Sequence, residues 1–265
     1  MPGKEQIIQE ILLTKPFVLN NFRLLRKLDP NDHYWSLFTD IGTLTVNGVF
    51  IETAMVVSWI GNVRQPKTIL EIGTRTGGSL IALLSNYQDF RDVEVISFDL
   101  WREYVSTTFL SRAATRLRKW SGTDGPATGN INISEKKLKP ILPIIQWLSM
   151  KKVRRNLEYF NIPADIITFI SGDSKITVPA YFERHKDKKF DYILVDGAHD
   201  KPTAWIDLQN VAGRVADGGI LVFDDISDLS YGLIDVWMQF RGQYADMFDF
   251  IEIDCRKGIG LAFKK

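Results

Sequence analysis

Five short apolar runs constrain this chain more than any other feature of it. They are TILEIG (68–73), VEVISFD (93–99), DIITFISGD (165–173), FDYILVDG (190–197) and GGILVFDD (218–225). Each is nearly continuous in Ile, Val, Leu and Phe instead of alternating with polar residues. Strands covered on both faces read this way, as in a parallel sheet between helices. Helix-like stretches lie between them, such as GGSLIALLSNY (77–87) and PTAWIDLQNVAGRVA (202–216). Strand and helix in alternation predict an α/β fold, a doubly wound and mostly parallel sheet. The tail breaks the rhythm. FDFIEIDC (248–255), RKG and IGLAFKK (259–265) read as a hairpin, which completes a seven-stranded sheet and adds an antiparallel edge strand.

Two regions fall outside this pattern. Residues 1–66 form an N-terminal helical segment expected to cover cofactor or substrate, ahead of the sheet-bearing domain at 67–265. Residues 102–150 form a long insert after the second strand, expected to be a lid, a substrate contact or a dimer contact. The charge is uneven. Residues 101–160 carry 12 Lys+Arg against 4 Asp+Glu, while the whole chain is +1, so the remainder is net −7. A basic segment on an acidic body points to an anionic acceptor or to a contact between two copies, hence a homo-oligomer. The insert lacks interleaved aromatics and arginines, which argues against a nucleic-acid partner.

The remaining totals are those of a globular protein, with 45% hydrophobic and 25% charged residues. A single cysteine, Cys255, has no internal disulfide partner, which fits a reducing compartment. No apolar run reaches the roughly 18 residues needed to span a membrane, and the N-terminus lacks a secretory pattern, so a cytoplasmic location is expected.

In open α/β sheets, ligands bind at the carboxyl ends of the strands, and here those ends are polar. The first strand runs into EIGTRTGGS (71–79), a glycine loop opening a helix. It is a poor dinucleotide fingerprint, because Arg75 stands where pyrophosphate would need a bare backbone. The second strand ends on Asp99, placed to accept from ribose hydroxyls. The third ends in SGDS (171–174), where Asp173 can face an adenine amino group and Ser174 the ring edge, or Asp173 can cap a helix. Trp101 follows closely enough to lie beside the adenine. A glycine loop, a ribose acid and an adenine-side acid without a pyrophosphate cradle fit S-adenosylmethionine. The fourth strand stops on Asp196, with His199 and Asp200 just after it, and the fifth stops on Asp224 and Asp225.

With these residues the chain resembles the class I S-adenosylmethionine-dependent methyltransferases, whose fold is Rossmann-like. Within them it is similar to the metal-dependent O-methyltransferases of the catechol and macrocin type. EIGTRTGGS resembles their E-x-G-x-x-x-G-x-S, and IGTLTVNG (41–48) resembles a cofactor-covering segment. The resemblance implies S-adenosylmethionine bound by Glu71, Gly73, Gly77, Ser79, Asp99, Trp101, Asp173 and Ser174. Glu71 has two readings, ribose contact or a balance to the sulfonium charge. The resemblance also implies a magnesium ion on Asp196, Asp224 and Asp225, with His199 taking the acceptor's proton and Asp196 beside it at the catalytic centre. Asp200 either orients His199 or caps the next helix. Where the catechol enzymes carry Asp-Asn, this chain carries Asp-Asp at 224–225.

Physical chemistry agrees with the metal assignment. Three carboxylates on two strand ends repel one another without a cation. Oxygen ligands without clustered Cys or His select Mg²⁺, or else Mn²⁺ or Ca²⁺. The expected reaction is Mg²⁺-dependent O-methylation of a hydroxyl on a small molecule or sugar. Two alternatives share the fold. One is different chemistry at the same site, since a relative of this group is linked to cephalosporin hydroxylation. The other is a methyltransferase that binds nucleic acid.

Overall fold

The computed structural model of the chain describes residues 3–28, 53–101, 142–254 and 257–265. The segment 41–48, Cys255 and most of the basic insert, from 102 to 141, lie outside the described residues. Among the described residues, three helices precede the sheet: α1 (Lys4–Leu12), α2 (Lys15–Leu28) and α3 (Thr53–Arg64). Then follow β1 (Thr68–Ile72), α4 (Gly78–Leu84), β2 (Glu94–Asp99), α5 (Leu142–Tyr159), β3 (Ile167–Ser171), α6 (Ser174–Arg184) and β4 (Phe190–Val195). The chain closes with α7 (Lys201–Ala212), β5 (Val215–Phe223), α8 (Leu233–Gln243), β6 (Phe248–Ile253) and β7 (Ile259–Lys264).

The seven strands lie in the order β3-β2-β1-β4-β5-β7-β6. β1 to β5 are mutually parallel and β7 runs antiparallel to β5. The expected doubly wound, Rossmann-like sheet with an antiparallel C-terminal hairpin is therefore present. The hairpin's later strand is the one that meets β5, and its earlier strand forms the edge.

The strands are apolar on both faces because two helical layers cover them. Ile69, Val95, Tyr192, Leu194, Ile220 and Val222 face the layer of α1 to α5. Leu70, Ile96, Ile193, Val195, Leu221 and Phe223 face α6, α7 and α8. Helix α3 is buried along nine consecutive residues, Thr53 to Gly61, which explains its apolar character all round. Gly61 allows it to touch α4: an added Cβ would sit 2.0 Å from the Leu83 carbonyl oxygen.

One boundary differs from the sequence expectation. The helix expected over 202–216 ends at Ala212, with Gly213 as its cap. The next residues pair with β4 instead, the Phe190 amide donating to the Arg214 carbonyl at 2.8 Å. Glycine is a poor helix former, and sheet pairing takes over directly after it. Among the described residues no helix is long and apolar enough to cross a membrane.

Candidate active site

The parallel strands deliver their carboxyl ends to one edge, where a cavity of about 310 Å³ opens. That is the size range of small-ligand pockets, roughly 300–1,000 Å³. Gly73, Asp99, Trp101, Asp173, Ser174 and Asp196 all line it. Six expected site residues, drawn from four strand ends, thus share one space.

The glycine loop is shaped by close packing. Gly73 has φ +94°, and a Cβ there would lie 2.1 Å from the Asp196 carbonyl oxygen. Only glycine lets the β1 loop lie against the end of β4. Gly77, at φ +84°, starts α4 and sits over Val153 of α5. Helix α5 also holds the loop through Asn156, whose amide donates to the Thr76 carbonyl at 3.1 Å. Asp99 receives the Arg75 amide at 2.8 Å and the Trp101 amide at 2.6 Å. Both donors have positive φ, 49° and 54°. Left-handed backbone at a side-chain-bearing residue costs roughly 1–3 kcal/mol and is found where a site demands it. Asp225 is a third such residue, at φ 61°.

Glu71 and Ser79 lie behind the loop. The Ser79 hydroxyl donates to Glu71 Oε1, both residues are buried, and Glu71 Oε2 has no hydrogen-bond partner among the described residues. Burial raises the Glu71 carboxyl to about 7, against the opposing hydrogen bonds of Ser79 and Thr74. Among the described residues the buried Trp101 indole N–H also lacks a partner. Such orphaned polar atoms beside a cavity are what a polar ligand would satisfy. On the far wall, Asp173 caps α6 by accepting from the Lys175 amide at 3.0 Å while still lining the cavity. Capping and ligand binding were alternatives in sequence, and the geometry allows both.

The carboxylate cluster lies at the β4 and β5 ends. Ligand atoms of Asp196, His199 and Asp225 come within 4.8 Å of one another, a spacing suited to one cation. Asp224 sits beside them, but its Oδ1 accepts the Thr53 hydroxyl at 2.9 Å from the start of α3. Burial, followed by the charges of Asp224 and Asp225, raises the Asp196 carboxyl well above the ordinary range, with Arg75 opposing. Burial and then Asp225 push Asp224 up to about 7. The charges of Arg75 and Lys257 offset these shifts only in part, and the oxygen-rich donor set fits a hard divalent ion.

His199 Nε2 lies 3.0 Å from Asp225 Oδ2, and its ring stacks on Tyr231 with centroids 4.3 Å apart. Asp225 therefore orients the histidine. Asp200 instead caps α7, accepting from the Thr203 amide at 3.0 Å. Three contributors are not visible in the sequence: Thr53, Tyr231 and Lys257, whose ammonium lies 3.3 Å from Asp225 Oδ1. They come from distant segments, and nothing in their local pattern marks them.

A doubly wound sheet with a ligand cavity at its carboxyl edge is the architecture of the class I methyltransferases, which other α/β enzymes share. The chain belongs to the methyltransferase-domain family, whose model matches residues 70–226. The resemblance read from the sequence is borne out at this level. No curated protein matches the chain. Among solved structures it is similar to TomG, an O-methyltransferase from Streptomyces achromogenes involved in tomaymycin synthesis and solved with SAM. The two are 15% identical over 87% of each chain, with a TM-score of 0.52. It is also similar to the O-methyltransferase NovP, at 18% identity over 80% of this chain and 79% of that one, with a TM-score of 0.51. At these identities the likeness is one of fold.

Proposed function

We propose that this methyltransferase methylates a hydroxyl of a small molecule or sugar, using S-adenosylmethionine and a divalent cation, Mg²⁺ by its ligand chemistry. The observation that carries the reading is a shared wall. Asp196 lines the cavity of Gly73, Asp99 and Asp173 and also belongs to the cluster with His199 and Asp225. A cofactor site and a proton-handling site thus meet at one residue.

S-adenosylmethionine would supply a sulfonium-bound methyl group, and a divalent ion would supply positive charge that lowers the pKa of the acceptor hydroxyl. The chain's own residues do the rest. Asp99 and Asp173 accept hydrogen bonds from the nucleoside end, and Trp101 covers it. Glu71 and Ser79 support the loop from behind, and Gly73 and Gly77 let the loop approach. Asp196, Asp224 and Asp225 would hold the cation. With Nε2 turned to Asp225 at 3.0 Å, Nδ1 is the ring atom of His199 left to take the hydroxyl proton. Holding both reactants in contact can lower the barrier by roughly 7–11 kcal/mol in good cases. The basic charge of the insert favours an acceptor that is itself anionic.

The test is methyl transfer from labelled S-adenosylmethionine to a panel of phenols, sugar hydroxyls, amines and carbon nucleophiles, with Mg²⁺ or with EDTA. Label on oxygen that disappears with EDTA is expected. Transfer to nitrogen or carbon acceptors only would overturn the O-methylation reading, and EDTA-insensitive transfer would overturn the metal.

A further inference from the structure

The hairpin tip delivers a cation into the carboxylate cluster. Lys257 Nζ lies 3.3 Å from Asp225 Oδ1 and 3.4 Å from Oδ2. Its placement is fixed by the backbone. The Ser227 amide donates to the Lys257 carbonyl at 2.7 Å, and the Ile226 amide donates to the Gly258 carbonyl at 3.1 Å. Gly258 has φ +71°, and a Cβ there would lie 2.1 Å from the Ser227 hydroxyl oxygen. The strand end that carries Asp225 is thus tied directly to the residue that neutralises it.

We propose that Lys257 is the resident counter-cation of this cluster, a positioning residue that competes with the divalent ion for Asp225 and so weakens and tunes metal binding. The inference rests on the metal reading above. Asp225 is almost fully buried, and a buried carboxylate without a partner is costly. His199 and Lys257 share it, so its charge is partly met before any ion arrives. A divalent ion on Asp225 must therefore displace the ammonium. Lys257 can yield, because its side chain is 36% exposed and its ammonium already lies 6.0 Å from the Tyr231 ring centroid. Retreat over that ring keeps the charge in a favourable field. Tyr231 also stacks on His199, so the lysine's two positions flank the residue that takes the proton.

Calorimetric titration of Mg²⁺ and Mn²⁺ into wild type, Lys257→Gln and Lys257→Arg tests this, with S-adenosylhomocysteine binding as a check on folding. The proposal expects Lys257→Gln to bind metal at least about tenfold more tightly and Lys257→Arg to stay near wild type. Binding by Lys257→Gln where wild type shows none would support it equally. Metal binding in wild type with no tightening in Lys257→Gln would overturn the competition while leaving the metal site intact. Binding by none of the three would overturn the metal reading, and this inference with it.

Discussion

Asp207 provides a test of the site's electrostatics that needs no substrate. It lies on α7 beneath the 196–200 loop, fully buried, and a Cβ on Gly197 would be 3.7 Å from its Oδ2. Among the described residues neither carboxylate oxygen has a hydrogen-bond partner of normal geometry. Burial raises its pKa from 3.8 to about 7, only partly offset by the nearby Ser174 hydroxyl. Between about pH 4 and pH 7 the native protein keeps a proton that the unfolded chain has released. Native stability must therefore fall as pH rises through this window. The gap is about three pH units at about 1.4 kcal/mol each, a ceiling of about 4 kcal/mol.

Asp207→Asn removes that titration while keeping the shape. Urea unfolding at pH 4.5 and pH 7.5 gives the comparison. Near pH 4.5 the variant should match wild type within about 1 kcal/mol, and at pH 7.5 it should be the more stable protein by about 2–4 kcal/mol. Glu71, Asp196 and Asp224 add slopes of the same sign to both proteins and cancel in the difference. Parallel stability curves, or a variant less stable at pH 7.5, would refute the placement of an unpaired carboxylate under the loop.

Further outcomes follow from the same geometry. Gly73→Ala places a methyl group 2.1 Å from the Asp196 carbonyl at φ +94°, so it should cost at least about 2 kcal/mol in urea unfolding and weaken S-adenosylhomocysteine binding. His199→Gln should lower kcat by about 10²–10⁴ while leaving cofactor affinity unchanged, read by single-turnover transfer alongside calorimetry. Thr53→Val removes the hydroxyl that holds Asp224 at 2.9 Å. It should weaken metal binding without loss of the cofactor site, measured by Mn²⁺ titration.

Much of this fold was legible because double burial writes itself as unbroken apolar runs. The parallel sheet, the glycine loop and the polar strand ends all follow from five such stretches. The order of the last two strands was not legible. Which hairpin arm meets β5 depends on packing such as Gly260 beneath Trp237, where a Cβ would lie 2.6 Å from the indole. The strand-end residues were found because strand ends are local. What Asp225 does was not, since its partners His199 and Lys257 reach it from 26 and 32 residues away. In the sequence Arg75 argues only against a dinucleotide. In the folded protein it lines the cavity, and its charge acts on Asp196. Asp200 showed the converse: its capping role was visible in the Pro202 that follows, and the structure gives it that role.

On the proposed function, the cavity at the strand ends binds S-adenosylmethionine through Asp99. This is tested most directly by titrating S-adenosylhomocysteine into wild type and Asp99→Ala by calorimetry. Hydrogen bonds to a charged acceptor contribute about 1.5–3 kcal/mol each, so the account predicts one site in wild type and at least about a tenfold loss of affinity in the variant. Absence of binding in wild type, or equal binding in both proteins, would contradict it.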